Sequence, residues 1–359
     1  MGVFYILLLV PLAIQHFEIN RYSIDYQKKN KSALFFFFAL MTILVALRHE
    51  SIGNDTGNYT AYFEVFSKLS WAQCGNEAME LGYAYYNKII SLFLGEPQVF
   101  LALTGILTFA MIYPTYKRLC VDASLTIVLY VIMSTFVMAF SGIRQMIAIG
   151  IGIIAYEEFV RKKKFIPYII AVILAMTFHV SAFMLVFMYP LYHARITKKW
   201  LLFVIPILTA VFVFNKQIFT SLVLIIQRFT GFDGEISSTG AYTMLILFVL
   251  FAVFAFIIPD EETMDDEIIG LRNFLLLSVV LQMFAPLHTL AMRLNYYYII
   301  FIPLLLPKII ERRSDKWGQV AIVARHIMVV FFLLYFFYSA YTSESNLHVF
   351  PYHFFWEGV

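Results

Sequence analysis

The sequence predicts an all-α, polytopic integral membrane protein with about twelve transmembrane helices. Of its 359 residues, 61% are hydrophobic and 14% are charged, and the mean hydropathy is +0.79. A soluble domain carries roughly 25% charged residues. The few charges are also segregated into short segments between long apolar runs. These observations exclude a soluble enzyme, a disordered scaffold and a nucleic-acid binder as the main body of the protein.

Twelve apolar runs approach the length needed to cross a bilayer. They lie near 3–17, 33–47, 98–116, 122–140, 142–160, 164–178, 180–194, 199–214, 242–258, 268–286, 294–310 and 321–340. The first run has no basic residue before it, which disfavours a cleaved signal peptide. We therefore interpret residues 1–359 as a single integral membrane domain.

The distribution of Lys and Arg predicts the orientation. With the N-terminus outside, eighteen of the 26 Lys and Arg residues fall in cytoplasmic loops, seven fall outside, and Arg272 falls within a span. This bias predicts that both termini lie outside. It also creates two long outer segments, 48–97 and 215–241. We expect each to carry an amphipathic helix at the outer leaflet, over 81–95 and 218–229.

Residues 165–192 distinguish two topologies. This stretch is nearly uncharged and is flanked by basic residues on both sides, so both ends are expected in the cytoplasm. The chain must then turn back near His179 and Ser181. Each arm would be about 14 residues, or roughly 21 Å, which is shorter than the bilayer core of about 30 Å and leaves a polar recess at the apex. The alternative is one long tilted helix, which would reverse the orientation of everything after it.

Charged side chains are costly inside a bilayer, so those at span ends are candidates for function. Several predicted spans carry arginine or histidine at or near their outer ends, and one aspartate lies close by: Arg48, His49, Asp55, Arg144, His179, His288 and Arg293. Three arginines on the outer face are more than the positive-inside bias leads us to expect. The pattern predicts a site for an anion at the outer surface.

Each of these residues also has a structural interpretation. The glycines and asparagines after Arg48 could fold Asp55 back towards it, in a site or in a salt-bridged loop. Arg144 at a helix N-terminus suits phosphate oxygens and lipid headgroups equally well. His179 is either a catalytic base or a hydrogen-bonded structural histidine. Tyr296, in the segment that also contains His288 and Arg293, suits sugar stacking or an interfacial aromatic belt.

Two kinds of motif are missing from the sequence. No metal-ligand motif occurs in the outer segments, and no glycine-rich phosphate loop occurs on the inner side. We therefore expect neither a metal nor another cofactor. The inner acidic run over 260–267 is interpreted as a solvated loop.

Several motifs, taken in order, resemble the EpsG/Wzy-like polysaccharide polymerases. The first outer loop carries Arg48, then Gly-Asn-Asp-Thr-x-x-Tyr over 53–59, Tyr62-Phe63 and Glu80-x-Gly82-Tyr83. The later motifs are Ser141-Gly142-x-Arg144-Gln145, Phe178-His179-x-Ser181 and Arg293-x-x-Tyr296. The resemblance covers most of the chain.

This resemblance implies a membrane glycosyltransferase in the bacterial cytoplasmic (inner) membrane, with its active face outside. Such an enzyme transfers a growing glycan from an undecaprenyl-diphosphate carrier to a sugar hydroxyl on a new lipid-linked repeat unit. The product would be O-antigen, capsule or exopolysaccharide. The implied partners are the undecaprenyl-diphosphate-linked oligosaccharide, membrane lipids, a chain-length regulator and a flippase, but no nucleic acid.

Under this hypothesis Arg48, Arg144 and Arg293 hold the diphosphate, and either His179 or Asp55 accepts the hydroxyl proton. Supporting roles are expected for a further group of neighbours: Gln145, Tyr59, His288 and Tyr296. Three alternatives stay open at this point. A transporter or flippase would need charges distributed through the membrane depth. A glycan ligase is chemically close to a polymerase, and a non-enzymatic scaffold would leave the arginines unexplained.

Overall fold

The computed structural model describes residues 2–19, 26–76, 79–93, 95–133, 135–230, 242–342 and 349–358. These residues form eighteen α-helices and no β-strand, which confirms the all-α prediction. In chain order the first ten are α1 (Gly2–Ile19), α2 (Tyr26–Ala46), α3 (Thr56–Lys68), α4 (Trp71–Cys74), α5 (Leu81–Phe93), α6 (Pro97–Leu119), α7 (Ala123–Ile132), α8 (Thr135–Ser141), α9 (Ile143–Ala155) and α10 (Phe165–Phe178). The others are α11 (Met188–His193), α12 (Leu201–Val213), α13 (Asn215–Thr230), α14 (Tyr242–Ile257), α15 (Asp266–Gln282), α16 (Thr289–Ile299), α17 (Ile302–Glu311) and α18 (Gly318–Thr342).

The chain divides into two compact units, and each is described by itself. The first comprises Met1–Val186 and Ala324–Val359, and the second comprises Phe187–Val323. In the first unit α2 packs between α1 and α6, and α9 packs between α6 and α10. The single domain predicted for residues 1–359 stays a prediction.

A buried polar network ties the first helices of this unit together. Gln15 donates to the Asn30 side chain (2.8 Å), and Asn30 in turn donates to the Val121 carbonyl (2.7 Å) and accepts from the Ala123 amide (2.9 Å). Because an unpaired buried amide is costly, each of these bonds also fixes the position of a helix end. The network therefore sets where α1 and α2 meet the start of α7.

The predicted hairpin over 165–192 is confirmed. The Tyr168 hydroxyl on α10 donates to the Leu185 carbonyl, seventeen residues further along the chain. In one straight helix these groups would be roughly 25 Å apart, so the long tilted helix is excluded. The chain turns back at His179, and the returning arm begins as a 3-10 helix, Val180–Phe187.

In the second unit, α15 packs against α11, α14 and α16. Arg272 on α15 is fully buried and donates to both carboxylate oxygens of Glu261 (2.8 and 3.1 Å) and to the Ile196 carbonyl (2.8 Å). Its guanidinium also lies 4.0 Å from the centre of the Phe256 ring. The interpretation of 260–267 as a solvated loop is therefore wrong for Glu261, because that carboxylate neutralises a buried cation.

Among the residues that the structure describes, two helical segments are long and apolar enough to cross a membrane singly, Pro97–Leu119 and Asp315–Thr342. Three bent helix pairs reach that length together, and shorter apolar helices cover Gly2–Gln15, Asn30–Ala46, Phe165–Phe178 and Tyr242–Ile257. The run predicted as one span over 294–310 is bent by 48° between α16 and α17. The amphipathic segments expected at 81–95 and 218–229 are helical as α5 and α13 where the structure describes them. The twelve spans and the outward termini stay predictions.

Candidate functional site

Three segments of the first unit meet at the carboxylate of Glu80, which lies just before α5. Arg144, the second residue of α9, donates to Glu80 Oε2 (2.5 Å). His179, at the turn after α10, places its Nδ1 3.1 Å from Glu80 Oε1, and the Val180 amide donates to the same oxygen (3.3 Å). Glu80 thus joins two residues that lie 35 positions apart in the sequence.

A glycine allows this meeting. A Cβ on Gly82 would lie under 3.0 Å from the side chain of Thr177 and 2.9 Å from its carbonyl oxygen. Only glycine therefore lets the first turn of α5 lie directly against the last turn of α10. Since Glu80 is two residues before Gly82 and His179 is two residues after Thr177, this contact brings the carboxylate to the imidazole.

A second glycine fixes the loop that carries α3. Gly53 has a φ of +92°, and a Cβ there would lie under 3.0 Å from the carbonyl group of Phe140. The Thr56 hydroxyl bridges the Ile52 carbonyl (2.6 Å) and the Phe140 carbonyl (3.0 Å). The Gly53-x-x-Thr56 part of the first outer loop therefore packs against the end of α8, a few residues before Arg144.

Two tyrosines line the guanidinium of Arg144. Their ring centres lie 5.9 Å (Tyr59) and 5.7 Å (Tyr83) from its central carbon, and the two rings meet edge to face at 6.0 Å. Met79 Sδ accepts a weak hydrogen bond from the same Nη1 that binds Glu80 (3.3 Å). The Nε side of the same guanidinium differs from the Nη1 side, because Nε is buried and has no hydrogen-bond partner.

The Glu80 carboxylate is ionised. Burial alone would raise its pKa, but the hydrogen bond with His179 and the charge of Arg144 outweigh burial and lower the pKa to about 2. An ionised carboxylate can only accept, so His179 Nδ1 must carry the proton. In a neutral imidazole this leaves the lone pair on Nε2, which is the acceptor that a base needs.

The predicted pairing of Arg48 with Asp55 is wrong. Arg48 is fully buried, its Nη1 donates to the Val45 carbonyl, and its Nε and Nη2 have no hydrogen-bond partner. Asp55 precedes α3 as its N-cap, half-buried, and makes no capping bond through its side chain. The turn at Gly53 directs the loop towards Phe140 rather than back onto Arg48.

The other predicted residues have different surroundings. Gln145 is buried on α9 beside Arg144. In the second unit, His288 is the N-cap of α16, accepts from the Leu290 amide (3.0 Å) and stacks on Phe219. Arg293 is exposed on the same helix, and Tyr296 is buried there. His288 therefore has a clear structural role.

The sequence-based site residues do not include Glu80, although the Glu80-x-Gly82-Tyr83 motif contains it. The available signal was the glycine two residues away, since a glycine at the start of an amphipathic helix indicates a close backbone approach. Within the part of the chain that the structure describes, no three His, Cys, Asp or Glu side chains form a group that could hold a metal ion.

An all-helical fold with apolar helices of membrane-spanning length defines the class of membrane proteins, and this one holds an arginine and a histidine together at helix ends. A family model described as the EpsG family matches residues 31–354. The chain belongs to the EpsG family, which is polysaccharide polymerase-like. Neither the curated proteins nor the solved structures yield a match to this chain.

Proposed function

We propose that the protein polymerises undecaprenyl-diphosphate-linked oligosaccharide repeat units into a surface polysaccharide at the outer face of the bacterial cytoplasmic membrane. Family membership supports the glycosyltransferase-like chemistry. The observation that carries the proposal is the cluster in which Glu80 holds both Arg144 and His179. It supplies the two functions that transfer from a lipid diphosphate requires: a cation for the leaving group and a base for the acceptor.

Arg144 is the proposed ligand of the diphosphate. A guanidinium offers two edges for bidentate binding, and Glu80 occupies the Nη1 side. Nε, which has no hydrogen-bond partner, is then the donor that receives a phosphate oxygen, while a hydrogen bond with Tyr59 helps to hold the guanidinium. Because Glu80, Tyr59 and Tyr83 hold the group in place, little reorganisation is needed when charge develops on the leaving oxygen.

His179 is the proposed base. The acceptor hydroxyl oxygen bonds to the anomeric carbon of the donor sugar while the bond from that carbon to the diphosphate oxygen breaks. The bonding electron pair leaves with the diphosphate, and the hydroxyl proton passes to His179 Nε2. Glu80 stabilises the imidazolium that forms, as a carboxylate does in other histidine-based sites.

Asp55 is the alternative base, and Arg48 and Arg293 are further proposed diphosphate ligands. The carboxylate partner favours His179, since Asp55 has no comparable group orienting it. Direct contact of Arg48 with a lipid substrate would require the chain segment 349–358 to move, because that segment runs beside it. Tyr59 lies within electrostatic range of both Arg48 and Arg144.

The deciding experiment incubates the purified protein with purified lipid-linked repeat units. A ladder of products supports polymerisation, a single addition would indicate a ligase, and no product would favour transport or scaffolding. Activity that persists in a chelator supports charge stabilisation by arginine rather than by a metal. His179→Gln and Asp55→Asn are compared in the same assay. The substitution that abolishes elongation identifies the base.

The outward location is tested separately. Single cysteines at Asp55 and at the exposed Val180 should react with an impermeant thiol reagent added from outside intact cells. Labelling only from the cytoplasmic side would overturn the proposed orientation. A chain-length regulator and a flippase are the proposed cellular partners, because the product needs a defined length and the substrate must first reach the outer leaflet.

A further inference from the structure

Arg48 lies at the edge of a small internal cavity. The cavity has a volume of about 10 Å³, room for roughly one water-sized occupant. Arg48, Thr104 and Thr108 are its polar lining, and the other lining residues are apolar or glycine, among them Phe109 and Ala139. It is thus a small, mostly apolar space with a cation on its wall.

The charge of Arg48 is left without compensation. The residue is fully buried, one nitrogen donates to a backbone carbonyl, and Nε and Nη2 have no hydrogen-bond partner. Burial lowers the pKa of Arg48 to about 10, so the guanidinium stays charged at neutral pH. The groups within its electrostatic range are Tyr59 and Tyr352, which bring no negative charge at that pH.

The segment 349–358 is hydrogen-bonded to the backbone on both sides of Arg48. The amide of His49 donates to the His353 carbonyl and the amide of Phe355 donates to the Leu47 carbonyl, both at 2.9 Å, on either side of Arg48. The Tyr352 hydroxyl also donates to the Leu44 carbonyl (2.8 Å). A buried guanidinium with two unpaired donors is costly, and an anion compensates its charge better than a neutral water molecule does.

We propose that this cavity binds one small inorganic anion, such as chloride, through Nε and Nη2 of Arg48. The two free donors supply the ligands, and the size of the cavity selects a monatomic ion. The site does not involve the Glu80 cluster, and within the polymerase proposal it replaces only the diphosphate-binding role of Arg48. It implies that Arg48, with the segment 349–358 packed beside it, holds a structural anion rather than the lipid diphosphate.

The test follows thermal unfolding of the full-length protein in detergent. Sodium gluconate is replaced by sodium chloride or bromide at constant ionic strength. We expect the Tm to rise saturably by about 3 °C or more, as occurs when a ligand binds only the folded state. Equilibrium dialysis with radioactive chloride should give one ion per chain.

Variants decide whether Arg48 is responsible. Arg48→Met should abolish the halide effect, whereas Arg195→Met, which removes an exposed arginine, should preserve it. Ala139→Val fills the cavity while keeping Arg48, and should also abolish the effect, so the test does not depend on one variant folding. A Tm insensitive to halide would overturn the proposal. So would a saturable response to inorganic diphosphate alone, which would return Arg48 to the diphosphate site.

Discussion

Replacing Glu80 with glutamine tests whether one carboxylate organises the candidate site. The substitution keeps the shape of the side chain but removes the charge that pairs with Arg144 at 2.5 Å and faces His179 at 3.1 Å. The pKa of Glu80 falls from its usual 4.5 to about 2. At about 1.36 kcal/mol per tenfold change in proton affinity, the folded state favours the ionised form by about 3 kcal/mol.

The sign of the pH dependence follows from that lowered pKa. Because the folded pKa lies below the unfolded one, the stabilisation is fully present above about pH 4.5 and disappears as the pH falls towards 2. Glu80→Gln should therefore unfold with about 3 kcal/mol less free energy than wild type between pH 5 and 7. The difference should shrink below pH 4.5, as measured by thermal or denaturant unfolding at a series of pH values.

Catalysis should suffer as well. Part of the 3 kcal/mol comes from the ion pair with Arg144. The charge of Arg144 does not change during the reaction, so this part does not affect the barrier. We therefore expect kcat to fall by about ten- to a hundredfold rather than more. The assay is elongation of lipid-linked repeat units, with Glu64→Gln as the matched control, because Glu64 is an exposed carboxylate on the neighbouring α3. If Glu80→Gln matched the control in both stability and kcat, the carboxylate would not be the organising group.

Four further substitutions test other contacts. Arg144→Lys keeps the charge but loses the planar donors, so the KM for the lipid diphosphate should rise about tenfold in steady-state kinetics; an unchanged KM would remove Arg144 from the diphosphate site. Gly82→Ala should lower the unfolding free energy by about 1–3 kcal/mol. Thr177→Ala should restore only part of it, because the Thr177 carbonyl stays 2.9 Å from the new Cβ, whereas complete rescue would refute the backbone clash. Glu261→Gln leaves Arg272 buried without its counter-charge and should cost about 3 kcal/mol in denaturant unfolding, with the activity of the folded protein intact; a stable variant would mean that another group neutralises Arg272.

The features that sequence could predict are those encoded locally. The apolar runs predict helices, and the basic flanks of 165–192 predict the turn at His179, because hydrophobic burial and the positive-inside bias act on contiguous segments. Charge and motif likewise single out Arg144 and Tyr59, which the structure places beside each other. What the runs do not encode is where a helix breaks: the bend between α16 and α17 interrupts a stretch that reads as one span.

The role of Glu80 at the centre of the site cannot be predicted from the residues next to it in the sequence. Within the first outer segment Glu50, Glu64 and Glu80 are equivalent as isolated carboxylates. Glu80 differs only because the start of α5 lies against Thr177, more than ninety residues later in the chain. The opposite error occurred for Asp55, where nearby turn residues suggested a pair with Arg48, but the φ of +92° at Gly53 and the bond from Thr56 to Phe140 direct the loop elsewhere.

The three charged or titratable members of the cluster all lie where a helix begins or ends. Glu80 precedes α5, Arg144 begins α9, and His179 ends α10. Helix ends leave backbone N–H groups unpaired, and in an apolar environment each such group needs a partner. The Val180 amide finds that partner in Glu80, so the same carboxylate that orients the imidazole also satisfies the broken backbone beside it. An unbroken helix through His179 would leave no such amide for Glu80, and it follows that the short hairpin arms and the Glu80 cluster have one structural cause.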